Sequence, residues 1–199
     1  GVVAFSEKGF AVTGAQARML GGDVRLEGGS VPPTGAIVPA DRASPSVVLR
    51  ASGTASADGL RQAHELGMVA SLAQRATGSA AYTAVLGFRA GHPEVAVSSN
   101  LQGMALALPA PLNKSADALL PFRLDTALIR ESVLPGPDGQ VRLRDQLALE
   151  VGRMVSLVYQ RDLSTRVPKV LRGSIAVGLA ADESVVMPLS GVGADLNLA

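Results

Sequence analysis

Apolar and polar residues alternate along most of this 199-residue chain, with a period of two. That period is typical of a β-strand with one buried face. It predicts a strand meander over about residues 80–198. Earlier strands are predicted at Val2–Phe5, Phe10–Ala17, Val24–Glu27 and Val47–Ala51, the last one closed by Gly53. Because the turns between successive strands are short, we expect antiparallel pairing.

One stretch has helical spacing instead, from about Ala57 to Arg75. The apolar positions that share its face are Leu60, Ala63, Leu66, Val69, Ala70 and Ala73. Ser56 or Asp58 is suited to cap its start, and Gly78 is suited to end it. The sequence therefore predicts one amphipathic helix packed on the sheet. Its polar face has too little Lys and Arg, and its apolar face no aromatic residue, for a helix lying on a membrane.

The alternation changes phase once, between Leu101 and Met104. A slip of one residue would place every later side chain on the wrong face of a sheet. Gly103 is the natural position for a bulge or tight bend that corrects the slip. Farther along, the pattern Leu147, Leu149, Val151, Val155, Leu157 and Tyr159 predicts one long strand, interrupted on that face by Arg153. A charge there indicates a strand edge, an ion pair or, as the less favoured alternative, a lipid headgroup contact.

The composition narrows the class of protein. Hydrophobic residues make up 47% of the chain and aromatic residues only 3%, which suits thin β layers better than a thick globular core. A net charge of +1 without a basic stripe argues against a nucleic-acid partner. Cysteine is absent, so no disulfide or thiolate metal site is expected. Both ends have strand-like patterns, and we expect residues 1–199 to be a single β-rich segment of a longer protein.

Candidate catalytic chemistry is sparse. His64 belongs to the polar face of the predicted helix and His92 to a Gly-His-Pro turn, a placement typical of solvated residues rather than metal ligands. The serines have no G-x-S-x-G context. The scattered carboxylates form no pair with the spacing of an acid and a base. We therefore predict no enzyme activity and no catalytic, cofactor-binding or metal-binding residues, and a hydrolase ranks last among the function classes.

Four segments carry a resemblance to a known family. They read GGDVRLEGG (residues 21–29), ATGSAAYTAVL (residues 76–86), SSNLQGMALALPAPLNKSADALLPFRL (residues 98–124) and SGVGADLNLA (residues 190–199). In this order they resemble the YhdP-type proteins of the AsmA-like superfamily, over nearly the whole chain. Where that family often has a tryptophan four residues after a glycine, this chain has Tyr82 after Gly78. The resemblance therefore assigns no role to this aromatic residue, and it still implies the family's general architecture.

The resemblance implies a non-enzymatic segment of a lipid-transfer bridge. Such proteins are long periplasmic β-grooves, anchored in the inner membrane, that conduct phospholipid toward the outer membrane. The expected partners are phospholipid acyl chains and neighbouring segments of the same polypeptide, with dimerisation through exposed strand edges. The residues expected to line the groove are Tyr82, Leu86, Phe88, Val95, Val97, Leu101, Met104 and Leu106.

The alternation by itself leaves two interpretations open. An apolar strand face either lines an open groove or packs on a second layer as a dry core. In the second case the chain would be a structural or protein-interaction scaffold of the bacterial envelope. Under either interpretation the predicted fold is mainly β, a curved antiparallel sheet or groove with one packed helix.

Overall fold

A computed structural model describes residues 1–7, 9–30, 47–89, 91–109, 112–135, 139, 141–164 and 168–178, apart from the side chains of Glu65 and Met68. Within these ranges the chain is mainly β, as predicted. The strands are β1 Val2–Ser6, β2 Gly9–Met19, β3 Gly22–Ser30, β4 Val47–Ser56, β5 Ala76–Arg89, β6 His92–Ser99, β7 Met104–Leu106, β8 Phe122–Leu128, β9 Arg144–Val151, β10 Val155–Asp162 and β11 Lys169–Val177. The helices are α1 Ala57–Gln62 and α2 Met68–Ala73, with short 3₁₀ turns at His64–Leu66 and Arg130–Val133.

The described strands form one open antiparallel sheet. Its order is β1-β2-β3-β4-β5-β6-β8-β9-β10-β11, so neighbours in the sheet are consecutive along the chain except at β6 and β8, which β7 separates. β7 pairs with the first residues of β5. The predicted antiparallel meander is therefore confirmed for the described residues. β4 is longer than predicted, because Gly53 lies inside the strand, opposite Val24 and Tyr82, rather than closing it.

The predicted phase change at Gly103 is also confirmed. Ser99 pairs with Tyr82, whereas Met104 pairs with Gly78, so this side of the ladder holds one residue more than β5 between the two pairs. Gly103 has φ of 92°, a conformation that residues with a Cβ rarely adopt. A side chain at that position would also lie 2.4 Å from the carbonyl oxygen of Ser79. Beyond Gly103 the ladder resumes over Met104–Leu106.

The prediction of one long strand through Arg153 was wrong. β9 and β10 form a hairpin, and Arg153 lies in its turn. Val151 pairs with Val155, and Leu149 with Leu157. In this register, odd-numbered residues lie on the same face before and after the turn. A hairpin and a continuous strand therefore give the same period-two pattern.

The prediction of a single helix from Ala57 to Arg75 was also wrong, because this segment forms two helices. Its predicted start is correct: the Ser56 hydroxyl accepts a hydrogen bond from the Gly59 backbone N–H at 3.0 Å. α1 ends at Gln62, the 3₁₀ turn His64–Leu66 follows, and α2 starts after Gly67, which has φ of 54° and ψ of −111°. α2 ends at Ala73, and Gly78 belongs to β5 rather than to a helix end.

Alanine is the commonest buried apolar residue in the described part of the chain, followed by leucine. Around α1 the buried cluster is Ala57, Ala76, Ala80 and Met104, and around β9 and β10 it is Leu120, Leu149, Val151 and Leu157. Among the described residues no large side chain is less than 2% exposed. The sheet is therefore only partly covered. The strands predicted at the end of the chain, beyond residue 178, lie outside the described residues.

Candidate functional site: an apolar concavity

One face of the curved sheet forms an open concavity of about 410 Å³. Its walls are side chains from β2 through β9 together with the helical segment 57–73. The lining includes Met19, Leu26, Leu49, Leu60, Leu66, Val69, Leu72, Tyr82, Leu86, Val95, Val97, Leu101, Met104, Leu106, Phe122, Leu124 and Val151. This volume lies within the range of small-molecule sites, roughly 300–1,000 Å³. We call this face of the sheet the concave face.

The register of the sheet creates the apolar lining. Directly opposed residues of antiparallel strands lie on the same face. One such set crosses eight strands and consists of Leu26, Ala51, Ala84, Val97, Leu124, Leu149, Leu157 and Ile175. We call this set the concave row. Every member is apolar. The register therefore places apolar side chains from successive strands side by side, and they line the concavity.

The helical segment covers one margin of the concave face. The backbone N–H of Ser56 donates to the Leu20 carbonyl at 2.8 Å, which fixes the start of α1 beside the turn between β2 and β3. Arg61 then ties both helices together, because its Nη1 donates to the carbonyls of Ala73 at 3.0 Å and Ala76 at 2.9 Å. Leu60 and Leu72 face the concavity from this segment. These helices therefore form a wall of the concavity.

A buried lysine holds the loop that forms the adjoining wall. Lys114 Nζ donates to the carbonyls of Leu101, Met104 and Ser115, at 2.9, 2.6 and 2.9 Å. Burial lowers the pKa of this ammonium group, and the nearby Asp117 carboxylate partly opposes that effect. All three ammonium N–H donors are used within the loop, so Lys114 is a clamp rather than a group available to a ligand.

Polar atoms in the concavity are few. Ser99 is occupied, because its hydroxyl donates to the Ala81 carbonyl at 2.7 Å and accepts from the Leu101 N–H at 3.0 Å. Burial raises the pKa of the Tyr82 phenol, which therefore stays neutral at physiological pH. Removing apolar surface of this kind from water is favourable. Within the described residues it offers no paired nucleophile and base.

The structure brings together seven of the eight residues predicted to line a groove: Tyr82, Leu86, Val95, Val97, Leu101, Met104 and Leu106 all line the concavity. Phe88 does not. It pairs with Pro93, two residues beyond the Leu86–Val95 pair, at the margin opposite the helices. The sequence prediction omitted Leu26, Leu49, Phe122 and Leu124, although alternation within their strands marks them as apolar positions. It also omitted the helical residues, whose contribution depends on where the helices dock.

Neither described helix is long enough to cross a bilayer. No known protein family, curated protein or solved structure matches the chain. The resemblance to the AsmA-like superfamily therefore rests on the sequence motifs alone.

Proposed function

We propose that this chain is a non-enzymatic segment of a lipid-transfer bridge whose concave face carries the acyl chains of phospholipids. The observation that carries the proposal is an apolar row crossing eight strands with no second layer over most of its length in the described part of the chain. Burying apolar surface contributes roughly 25 cal/mol per Å². An uncovered apolar surface that crosses eight strands therefore favours binding of a hydrocarbon or of a protein partner.

The setting of the proposed function follows from the family resemblance. The segment would lie in the periplasm of a Gram-negative bacterium, within a parent protein anchored in the inner membrane. Neighbouring segments would add strands to the sheet and lengthen the apolar row. The edge strand β1 supports this expectation: within the described strands it pairs only with β2, and Val2, Val3 and Phe5 are more than half exposed. Because exposed edges pair readily, we expect the isolated segment to dimerise through them.

The second candidate is a structural or protein-interaction scaffold of the bacterial envelope whose apolar face is closed as a dry core. The exposed apolar edge strand β1 favours it, since β-strand addition is a common mode of protein recognition. In that case the concave face would be dry and would hold no lipid.

Two charge substitutions separate these functions. Leu86→Asp and Val97→Asp each place a carboxylate on the concave face, where both residues are half-buried. In an open groove we expect both variants to fold and to lose binding of a fluorescent fatty acid. Ser98→Asp is the matched control, because Ser98 neighbours Val97 but lies on the other face beside Thr83 and Arg123. Its binding should be unchanged.

In a closed, dry core the same two substitutions would leave an unpaired buried charge, which costs several kcal/mol and unfolds a domain of ordinary stability. Thermal unfolding is therefore measured beside binding. If both variants unfold and the unsubstituted chain binds no fatty acid, the groove is rejected in favour of the scaffold.

A further inference from the structure

One ion pair lies on the apolar face of the sheet. Asp145 in β9 pairs with Arg161 in β10, two residues beyond the Leu147–Tyr159 pair, which places both charges on the concave face. Arg161 Nε donates to Asp145 Oδ1 at 2.9 Å, and Nη2 donates to Oδ2 at 2.5 Å. Leu128 lies beside Asp145, and Val170 beside Arg161. We call these four residues the margin row, because they lie at the margin opposite the helices.

The position of this pair is unusual for the sheet. Among the described strand residues of the concave face, Asp145 and Arg161 are the only charged ones. The Asp145 side chain is 9% exposed and that of Arg161 24%. A buried ion pair is weak evidence for stability, because desolvation offsets much of its attraction. A role in ligand recognition explains its location better than a contribution to folding.

Arg161 retains donors that Asp145 does not use. A guanidinium group has five N–H donors, and the carboxylate accepts from Nε and Nη2 only. Within the described residues, no other group accepts from Arg161. The Asp145 carboxylate holds the guanidinium plane fixed, so Nη1 is pre-organised for an oxygen ligand.

Glu94, on the other face of the sheet at this margin, also has an arginine partner. Glu94 accepts from Arg89 Nε at 3.0 Å and from the Leu128 backbone N–H at 3.0 Å. Asp145 and Glu94 are therefore each paired with an arginine, and neither presents an uncompensated negative charge to an anion at Arg161.

We propose that Arg161, positioned by Asp145, binds the phosphate oxygen of an amphiphile whose tail lies along the concave face. This inference rests on the proposed lipid-carrying function and adds a headgroup site to it. Along β8, four residue steps separate Leu128 of the margin row from Leu124, which lines the concavity, a distance of roughly 14 Å at about 3.4 Å per residue. One leaflet of a bilayer holds hydrocarbon about 15 Å deep. A lipid tail whose headgroup lies at Arg161 is therefore long enough to reach the concavity from the margin row.

The test compares three probes by titration calorimetry on the 199-residue chain: decyl phosphate, 1-decanol and inorganic phosphate. We expect decyl phosphate to bind roughly tenfold or more tightly than 1-decanol, the effect of one charged hydrogen bond. Inorganic phosphate should bind far more weakly than either amphiphile. In the double variant Arg161→Met, Asp145→Val, decyl phosphate should lose its advantage while 1-decanol binding stays unchanged.

The chain offers a matched control on the opposite face. Arg123 and Asp125 in β8 form a pair with the same two-point contact, and Arg123→Met, Asp125→Val should leave the advantage of decyl phosphate intact. Arg161→Lys keeps a cation beside Asp145 but removes the planar fork, and serves if the double variant does not fold. We expect Arg161→Lys to weaken the binding of decyl phosphate and to leave the binding of 1-decanol unchanged.

The outcomes separate the headgroup site from the lipid-carrying function. Equal binding of decyl phosphate and 1-decanol to the unsubstituted chain, or an advantage that survives both Arg161 variants, overturns the headgroup site alone. Inorganic phosphate binding as tightly as decyl phosphate overturns it in favour of a free-phosphate site. Failure of both amphiphiles to bind overturns the headgroup site together with the proposed function.

Discussion

The two faces of the sheet differ by a single residue step along every strand. On the concave face the concave row is apolar at all eight positions. The row one residue away on the other face reads Arg25, Ser52, Thr83, Ser98, Arg123, Glu150, Ser156 and Ala176, and only its last member is apolar. We call it the convex row. The same backbone ladder thus presents one face suited to water and one suited to hydrocarbon.

The coverage of the concave row is uneven, which is informative about function. Leu149 and Leu157 are 3% and 4% exposed beneath the loop that carries Leu120, whereas Ile175 is 46% exposed. A dry core would cover the row along its length. The row is covered only beside the helices and the loop, so the remaining apolar surface is available to a ligand or a partner.

The largest expected effect comes from removing a covered member of the concave row. Leu149→Ala should lower the free energy of unfolding by about 2–5 kcal/mol, through lost burial and the cavity left behind. Glu150→Ala, one residue away in the convex row, should change it by less than about 0.5 kcal/mol. Urea unfolding of both variants measures the difference. Similar costs at the two positions would mean that the faces do not differ in burial.

A smaller effect is expected where the concave face crosses the phase change. Gly103→Val should cost about 1–3 kcal/mol, because valine is forced into a sparsely populated conformation and its Cβ would lie 2.4 Å from the Ser79 carbonyl oxygen. Gly91→Val is the control: Gly91 also has a positive φ, 78°, but nothing lies within 4 Å of an added Cβ. Gly103→Val should therefore lower the melting temperature more than Gly91→Val. An unchanged melting temperature for Gly103→Val would place the phase correction elsewhere.

The next substitution is at Lys114, which holds the loop that covers part of the concave face. Lys114→Met leaves three carbonyls without their donor and should cost roughly 1–2 kcal/mol. Burial lowers the pKa of Lys114 below 10.5, its ordinary value, so the unfolded chain binds more protons than the folded chain in the pH range just below 10.5. The stability advantage of the unsubstituted chain over the variant should therefore rise with pH in that range. Denaturation midpoints measured up to pH 10.5 test this, and an advantage that falls with pH would contradict it.

The smallest expected effect lies at the start of the helical wall. Ser56→Ala removes the hydroxyl that accepts from Gly59 and should cost about 1 kcal/mol. Ser71→Ala is a suitable control, because Ser71 is exposed and its hydroxyl only returns to the Gly67 carbonyl at 3.3 Å within the helical segment. Equal melting temperatures for the two variants would show that the cap contributes nothing to the wall.

Sequence reasoning reached the strands, their pairing and most of the concavity, because each depends on local periodicity. It located the slip at Gly103, since Leu101 and Met104 are out of phase. It could not separate the β9–β10 hairpin from one strand, because pairing Val151 with Val155 preserves the period of two. The pattern did not predict the break between α1 and α2, because the apolar spacing continues through Gly67 from Leu66 to Val69.

The margin ion pair had no sequence signal either. Asp145 and Arg161 are sixteen residues apart and meet only because β9 and β10 form a hairpin. A single long strand would have carried them to opposite ends of the sheet. Arg153, the charge that stood out in the sequence, lies instead in the turn. Long-range register therefore decides which charges share the concave face.

The most direct test of the lipid-carrying concave face is native mass spectrometry of the chain after export to a bacterial periplasm and purification without detergent. We expect adducts whose masses correspond to phospholipids in the unsubstituted chain and in Ser98→Asp, and their loss in folded Val97→Asp. If all three proteins fold and none of them carries lipid, the result would contradict a groove for acyl chains.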